Sequence, residues 1–135
     1  MILEKTTKTL SKVKVSGGGR CNVTHACFVP KELSKFYPRG EKELIGPFHT
    51  FMTGDTIAWF SERGVELKME EDGRMFPVSN SSQTIIDCFQ KEVQCHTINV
   101  QLLTEVQSIK KEADSFELST NKGKLKADFV VLAVG

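Results

Sequence analysis

The chain has 135 residues, of which 39% are apolar and 26% charged, and its formal net charge is +1 at neutral pH. These are the proportions of an ordinary soluble domain with a modest core. The lysines are scattered among glutamates, which argues against a nucleic-acid partner, and no apolar run approaches the roughly 20 residues that span a bilayer. The first five residues lack a signal-peptide pattern, so we expect a cytoplasmic protein.

An apolar stretch opens the chain, and a polar segment follows it. Residues 1–5 predict a short buried strand. Residues 6–28 are rich in Gly, Ser, Thr and Asn and show no helical periodicity, which predicts a long loop. Loops of this length in a compact domain are usually functional, so this segment is the first place to look for a binding site.

Three helices are predicted between residues 30 and 64. The first covers 30–36, with a proline in its first turn, and the second begins near Pro47. The third covers 54–63, and Gly64 follows it as the natural C-terminal stop. Its apolar side chains, which we expect to be buried, are Ile57, Trp59 and Phe60.

A hairpin and a helix are predicted next. Strands over 65–69 and 74–78 are joined by Glu71-Asp72-Gly73, which is typical of a tight turn. Residues 81–94 place apolar side chains at helical spacing, with a serine positioned to cap the helix. This segment therefore predicts an amphipathic helix that packs one face on the core.

The remaining residues change to a period of two. Alternating apolar residues predict an antiparallel meander over about 98–127, with a turn at 121–123. An apolar strand over 128–133 follows, and its composition is typical of a parallel strand that is covered on both faces. The order of elements indicates an α/β fold in a single domain, residues 1–135.

The most distinctive segment of the polar loop is a run of three glycines between polar residues. It reads Lys14-Val15-Ser16-Gly17-Gly18-Gly19-Arg20-Cys21-Asn22. Consecutive glycines let the backbone adopt positive φ and approach a ligand closely, and their N–H groups are suited to an anion-binding nest. A planar guanidinium and short polar side chains would add donors. The segment predicts contact with a phosphate or a cofactor; a flexible turn that only relieves strain is the alternative.

Two further features bear on a nucleotide site. The glycine segment is not a dinucleotide fingerprint, because G-x-G-x-x-G would require glycine where Asn22 stands. Glu4 ends the first predicted strand, and in dinucleotide-binding folds an acidic residue at the end of the second strand accepts hydrogen bonds from ribose hydroxyls. A solvated charge is the simpler interpretation of Glu4 taken alone, since many strands end in glutamate.

Three segments together resemble a bacterial family of FAD-binding oxidoreductases. They are Ile2-Leu3-Glu4-Lys5, the Ser-Gly-Gly-Gly-Arg-Cys-Asn signature within residues 14–24, and Gly73-Arg74-Met75-Phe76-Pro77-Val78-Ser79. The resemblance is to proteins described as aminoacetone oxidase-like or as NAD(P)/FAD-dependent oxidoreductases, and it covers essentially the whole chain. It implies a partial FAD-binding Rossmann-like domain with a β-meander, with FAD as cofactor and NAD(P)H as a further partner.

The resemblance also implies how FAD would be held. Glu4 would bind the adenosine ribose, residues 16–22 would line the pyrophosphate and flavin end, and Val106 would meet the adenine through its backbone. Ala133-Val134-Gly135 matches the Ala-Thr-Gly that closes the site in the family, with valine in place of threonine. The implied cofactor contacts are Glu4, Lys14, Ser16, Gly17, Gly18, Gly19, Arg20, Cys21, Asn22, Val106, Ala133 and Gly135. No catalytic acid, base or substrate is implied.

One part of the family pattern is not found in this sequence. Members of the family open with a strand and a G-x-G-x-x-G turn that would precede Ile2, and the helix after that turn normally holds the pyrophosphate. The sequence also begins and ends within apolar, strand-like segments. We therefore expect a piece of a longer fold that is inactive, or binds FAD weakly, by itself.

Other site chemistries are weaker candidates. Two groups of potential zinc ligands lack C-x-x-C spacing, so no metal site is predicted; they are Cys21, His25 and Cys27, and Cys88, Cys95 and His96. Cys21 is either a redox thiol activated by its neighbouring arginine or, more simply, a packing cysteine. No carboxylate is paired in sequence with His25 or His49, so structural histidines are favoured over proton-transfer groups.

Two functions of other classes stay open at this point. A non-catalytic module would associate with a second copy through exposed strand edges, giving a homodimer. A small phosphate-binding or nucleotide-binding domain would use only the loop at Gly17–Gly19. Stabilisation by FAD favours the oxidoreductase, dimers without ligand binding favour the module, and stabilisation by nucleotides that lack flavin favours the third function.

Overall fold

The computed structural model describes residues 1–133 and divides the chain into two compact units. The terminal unit comprises Met1–Thr9 and Val93–Gly135, and the central unit comprises Leu10–Glu92. The elements in chain order are β1 (Ile2–Leu3), α1 (Ser11–Gly19), β2 (Thr24–His25), α2 (Pro30–Ser34), α3 (Glu41–Thr50), α4 (Thr53–Ser61), β3 (Leu67–Met69), β4 (Arg74–Pro77), α5 (Ser82–Cys95), β5 (Val100–Gln101), β6 (Val106–Lys111), β7 (Phe116–Thr120) and β8 (Gly123–Ala127).

The terminal unit combines a short parallel pair with an antiparallel meander. Strand β1 pairs with β5 in parallel, as a Rossmann-type arrangement requires. Strands β6, β7 and β8 form a three-stranded antiparallel sheet in sequence order, with Leu118 of the central strand opposite Ile109 and Leu125. Because Leu118 is buried and its strand is paired on both sides, it anchors this sheet. The predicted meander is confirmed from Val106 to Ala127, whereas β5, which was predicted to belong to it, pairs with β1 instead.

The central unit packs helices against a small antiparallel sheet ordered β2-β4-β3. Its core is a cluster of buried side chains, Cys21, Phe60, Val65, Ile85 and Cys88, with Trp59 and Phe89 packed beside it. Helix α4 ends where predicted: Gly64 has φ +75°, and the N–H of Val65 donates to the carbonyl of Phe60 at 2.9 Å. The N–H of Arg63 donates to the same carbonyl at 3.0 Å, so a carbonyl at the helix end is satisfied from within the turn that follows.

The prediction of one long loop over residues 6–28 was wrong. Helix α1 begins at Ser11, and strand β2 covers Thr24–His25. The regular helical part stops at Val15, because Ser16 is extended and the glycines that follow are left-handed. A helix this short shows no periodicity that a sequence pattern can detect, and one apolar residue, Val13, packs it against the core.

The start of helix α3 and the burial of residues in β1 and α4 also differ from the predictions. Helix α3 begins at Glu41 rather than near Pro47, which lies inside it. The sequence does indicate this earlier start. Glu41 and Glu43 lie in the first turn of α3, and negative charge stabilises a helix N-terminus. Strand β1 is less buried than predicted, with Ile2 43% exposed, and within α4 full burial is reached by Phe60 but not by Trp59 or Ile57.

No strand forms over residues 128–133. Phe129 and Val131 are 89% and 87% exposed, and no described strand pairs with this segment. Apolar composition indicates what a segment would bury, whereas a strand also requires a neighbour that accepts and donates its backbone hydrogen bonds. Within residues 1–133, no helix has both the length and the apolar character needed to cross a membrane.

Candidate functional site

The three glycines form a left-handed turn at the end of helix α1. Gly17, Gly18 and Gly19 have φ of +55°, +66° and +84°. The N–H of Cys21 donates to the carbonyl of Ser16 at 3.0 Å, and that of Arg20 to the carbonyl of Gly17 at 3.4 Å. A run of left-handed residues is costly for any side chain with a Cβ, so the three glycines are a conformational requirement of this turn.

The turn has one packed side and one open side. A Cβ on Gly17 would lie 2.8 Å from the backbone nitrogen of Asn22 and 2.8 Å from Cε1 of Phe76, whereas a Cβ on Gly18 would meet no atom within 4 Å. Gly18 is exposed. Gly17 is therefore packed against its neighbours, whereas the backbone of Gly18 is open to solvent and leaves room for another group to approach it closely.

The guanidinium of Arg20 is held by two internal contacts. It forms an ion pair with Glu70 through Nη1, and its central carbon lies 4.0 Å from the centre of the Phe76 ring. Both charged side chains are partly buried, so water screens their attraction less than at an open surface. Arg20 is thus a fixed cation beside the turn, and it already has a counter-ion.

The other predicted side chains of this segment make contacts within the protein, although Asn22 is an exposed residue. Ser16 Oγ donates to the carbonyl of Val13 at 3.0 Å. The side-chain amide nitrogen of Asn22 lies 3.0 Å from the carbonyl oxygen of Thr24, in the orientation that places donor against acceptor. Cys21 is buried in the core cluster with φ +62°. These contacts hold the turn in place, so its backbone is the part best suited to meet a ligand.

Lys14 precedes the turn and is exposed. Its carbonyl accepts a hydrogen bond of 2.9 Å from Ser82 Oγ, at the start of helix α5. This bond ties the regular part of α1 to a long helix whose inner face carries Ile85 and Ile86 into the core. The backbone just before the glycine turn is therefore held by a helix that packs on the hydrophobic core.

The remaining predicted contacts belong to the terminal unit. Oε1 of Glu4 accepts hydrogen bonds from the backbone N–H and the hydroxyl of Thr6, at 2.6 and 2.7 Å. Val106 pairs with Thr120 next to a bulge in the meander, and Ala133 is exposed. Gly135 lies outside the described residues. Glu4 is thus a hydrogen-bond acceptor fixed directly after a parallel strand. It belongs to the terminal unit, whereas the glycine turn belongs to the central unit.

Sequence reasoning missed the residues that support the turn. The hairpin of β3 and β4 supplies Glu70 and Phe76, and the N–H of Val23 donates to the carbonyl of Met75 at 2.8 Å. Gly73 closes the hairpin with φ +82°, and a Cβ there would lie 2.7 Å from Cε1 of His25. The segment 73–79 carried part of the family resemblance, but no spacing rule connects it with residues 16–22, which lie 57 positions earlier in the chain.

An apolar cavity of about 410 Å³ lies on the core side of the segment that follows the turn. Its lining consists of Val13, Cys21, Asn22, Val23, Phe51, Thr56, Trp59, Phe60, Ile85 and Phe89. Aromatic and aliphatic walls suit an apolar group rather than a phosphate. Any anionic part of a ligand would therefore lie at the open side of the turn and not in this cavity.

Two of the cysteines belong to the core cluster, and the other cysteines and the histidines lie outside that cluster. Cys21 and Cys88 are buried, whereas Cys95 is exposed. The imidazole of His25 packs on Phe36 with ring centres 4.6 Å apart, and His49 lies on helix α3. Within the described part of the chain, no three His, Cys, Asp or Glu side chains converge as a metal site requires.

Comparison with known proteins gives a consistent result. The family model for the HI0933-like protein Rossmann domain matches residues 1–135. The chain is 26% identical over 135 residues to the ribosomal RNA dihydrouridine synthase of Escherichia coli strain K12, of which it covers 33%. It is 23% identical over 134 residues to the 3-dehydro-bile acid delta(4,6)-reductase of Clostridium scindens, of which it covers 32%.

The chain spans about a third of the length of these curated relatives. The family match extends over the whole sequence, and the structure adds a parallel strand pair and an antiparallel meander to it. The match over the whole sequence shows that the chain belongs to the HI0933-like Rossmann-domain family.

Proposed function

We propose that this domain contributes to binding FAD in an oxidoreductase, and that the open side of the glycine turn is where the cofactor meets the backbone. The observation that carries the proposal is the contrast between Gly17, packed within 2.8 Å of its neighbours, and Gly18, which has open space around it. A turn that is rigid on one side and accessible on the other is preorganised for a ligand. Membership of a Rossmann-domain family supports a nucleotide cofactor.

The proposed contacts follow from this arrangement. Gly18 and Gly19 would approach the cofactor through their backbone, Arg20 would supply positive charge, and Glu4 would accept hydrogen bonds from ribose hydroxyls. Ser16, Asn22 and Cys21 would hold the turn through the internal contacts described above. Lys14, Val106 and Ala133 complete the set among the described residues.

A bound flavin would supply the hydride and electron chemistry, and the protein would bind and orient it. Support for a redox role comes from the relatives, one of which is named a reductase. The resemblance favours NAD(P)H as the reductant of the complete enzyme. We propose no substrate, since the two relatives are named for unrelated ones.

The proposal is tested by thermal unfolding of the chain with FAD, ADP and AMP, each at about 1 mM. A ligand that binds the folded state raises the unfolding midpoint in proportion to RT ln(1 + [L]/Kd). We expect FAD to raise the midpoint more than ADP or AMP does. Equal shifts with ADP and FAD would favour a general nucleotide-binding domain, and no shift with FAD would contradict the proposal.

A matched pair of variants locates the effect. Gly18→Ala and Gly64→Ala place a Cβ at backbones of similar φ, +66° and +75°, and neither Cβ would meet an atom within 4 Å. Both should lower the midpoint in the absence of ligand, because both impose left-handed strain. Only Gly18→Ala should also reduce the shift that FAD produces. An equal FAD shift in both variants would remove the glycine turn from the binding site.

A further inference from the structure

Two segments that lie far apart in sequence meet in the central unit. They are residues 16–22, which contain the glycine turn, and the hairpin of strands β3 and β4. Thr24 of β2 pairs with Met75 of β4, and the ring of Phe76 lies against Gly17. The hairpin therefore packs directly against one side of the glycine turn.

Where the hairpin meets the turn, two arginines contact the same aromatic ring and the same carboxylate. Phe76 is fully buried, at 0% exposure, and the guanidinium carbons of Arg20 and Arg74 lie 4.0 and 5.4 Å from its ring centre. The carboxylate of Glu70 pairs with Arg20 through Oε1 and faces Arg74 through Oε2, 3.9 Å from Nη2. Glu70 is thus shared between two arginines that flank the same ring.

The two contacts of Arg20 restrain different motions. Stacking on Phe76 restrains the plane of the guanidinium, and the ion pair with Glu70 restrains rotation within that plane. The ion pair engages Nη1 of a group with five N–H donors, and the Arg20 side chain is 34% exposed. A restrained, partly exposed guanidinium loses less conformational freedom when it binds an anion than one on a mobile side chain does.

We propose that Glu70 and Phe76 are positioning residues, which hold the Arg20 guanidinium beside the glycine turn in the orientation that meets the anionic part of the cofactor. This inference rests on the proposed function. Glu70 acts through Arg20 and does not itself touch the cofactor. Its negative charge would repel a phosphate, so a direct contact would weaken binding rather than strengthen it.

The test compares Glu70→Gln with a control that the chain itself provides. Arg63 has the same type of environment: its guanidinium carbon lies 3.9 Å from the centre of the Trp59 ring, and its Nε is 2.8 Å from Glu92. Glu92→Gln therefore removes the shorter ion pair of an arginine that is not part of the glycine turn, and the more distant Glu62, 3.7 Å from Nη1, is left in place. Glu70→Gln should weaken FAD binding about tenfold, and Glu92→Gln should leave it unchanged.

A double variant separates positioning from direct contact. Because Glu70 acts through Arg20, the double variant Arg20→Gln/Glu70→Gln should bind FAD no more weakly than Arg20→Gln alone. Binding losses that multiply in the double variant would overturn the inference. FAD affinity of Glu70→Gln equal to that of the unsubstituted chain, or equal losses in Glu70→Gln and Glu92→Gln, would overturn it as well.

A measurement without FAD distinguishes failure of the inference from failure of the proposed function. The Arg20 Nε–H signal in a ¹⁵N spectrum should be displaced by the Phe76 ring and should move toward the value of free arginine in Glu70→Gln. Glu92→Gln should leave that signal in place. If the chain binds no FAD, the proposed function fails and this signal decides whether Glu70 positions Arg20; an unmoved signal in Glu70→Gln overturns the inference.

Discussion

The ring of Phe76 lies against the backbone of Gly17, so close that a Cβ at position 17 would stand 2.8 Å from Cε1 of the ring. The contact joins the glycine turn to strand β4, which is hydrogen-bonded on both sides, to β2 and to β3. A buried ring in a paired strand is among the most rigid parts of a domain. The shape of the turn is consequently set by tertiary packing as well as by its own glycines.

This contact predicts a large difference between neighbouring glycines. Gly17→Ala adds both left-handed strain and overlap with Phe76 and the Asn22 backbone, so we expect a loss of about 2–4 kcal/mol in the free energy of unfolding. Gly18→Ala adds strain alone, and we expect about 1 kcal/mol. Urea denaturation of both variants measures the difference. Equal losses would mean that Phe76 does not pack against Gly17.

The hairpin turn gives a second prediction. A Cβ on Gly73 would lie 2.7 Å from Cε1 of His25, and that imidazole packs on Phe36. Gly73→Ala should therefore displace His25 from Phe36 and shift its imidazole proton signals in an NMR spectrum. Gly64→Ala, with a similar φ and no neighbour within 4 Å, should leave those signals where they are. Unchanged His25 signals in Gly73→Ala would contradict the structure.

The same turn predicts a dependence on pH. The backbone N–H of Arg74, assisted by its guanidinium, holds the pKa of Asp72 below its ordinary value; the two hydrogen bonds measure 3.1 and 2.7 Å. A carboxyl whose pKa is depressed by folding stabilises the fold above its unfolded pKa, and this contribution is lost as the pH falls through the lower folded value.

Asp72→Asn should therefore be less stable than the unsubstituted chain at about pH 6, and the gap should close as the pH falls below about 4. Chemical denaturation of both proteins at about pH 6 and below about pH 4 measures this difference in the free energy of unfolding. Asp114→Asn, in the exposed turn between β6 and β7, is the control and should change stability little at either pH. A gap for Asp72→Asn that persists in acid would show that the Arg74 contacts do not depend on the charge.

Three of the four cysteines should differ strongly in how fast they react. Burial raises the pKa of the Cys88 thiol, and the thiolate is the reactive form. Cys95 is exposed, on the last turn of the same helix. Iodoacetamide at about pH 8 should alkylate Cys95 first and reach Cys21 and Cys88 only on unfolding, as mass spectrometry of digested protein would show. Rapid labelling of Cys88 in the folded chain would contradict its place in the core.

Local patterns predicted the parts of the fold that local interactions determine. The hairpin and helix α5 each combine a periodicity with a turn or capping signal, and each appears with boundaries close to those expected. The meander is also found, but it begins at Val106 rather than near residue 98. Residues 128–133 had an equally clear apolar pattern but form no strand. The difference is that a hairpin or a meander supplies its own hydrogen-bonding partners, whereas an isolated strand depends on a partner from elsewhere.

In the candidate site, too, features set by local interactions were predictable and features set by tertiary packing were not. The three glycines are recognisable because their conformational freedom is a property of the residue type. Glu70 and Phe76 were not found, since an ion pair between residues 50 positions apart depends on how the hairpin folds back on the turn. The Glu4 carboxylate was predicted as an acceptor, and the structure adds the local bonds to Thr6 that fix its direction.

Titration of the ¹⁵N-labelled chain with FAD shows residue by residue whether the glycine turn meets the cofactor. We predict that the largest changes in amide signals occur at Gly18, Gly19 and Arg20, with further changes near Glu4, and that AMP reproduces only the changes near Glu4. If the changes are confined to residues outside the glycine turn, or if none occur up to about 1 mM FAD, the turn does not bind FAD.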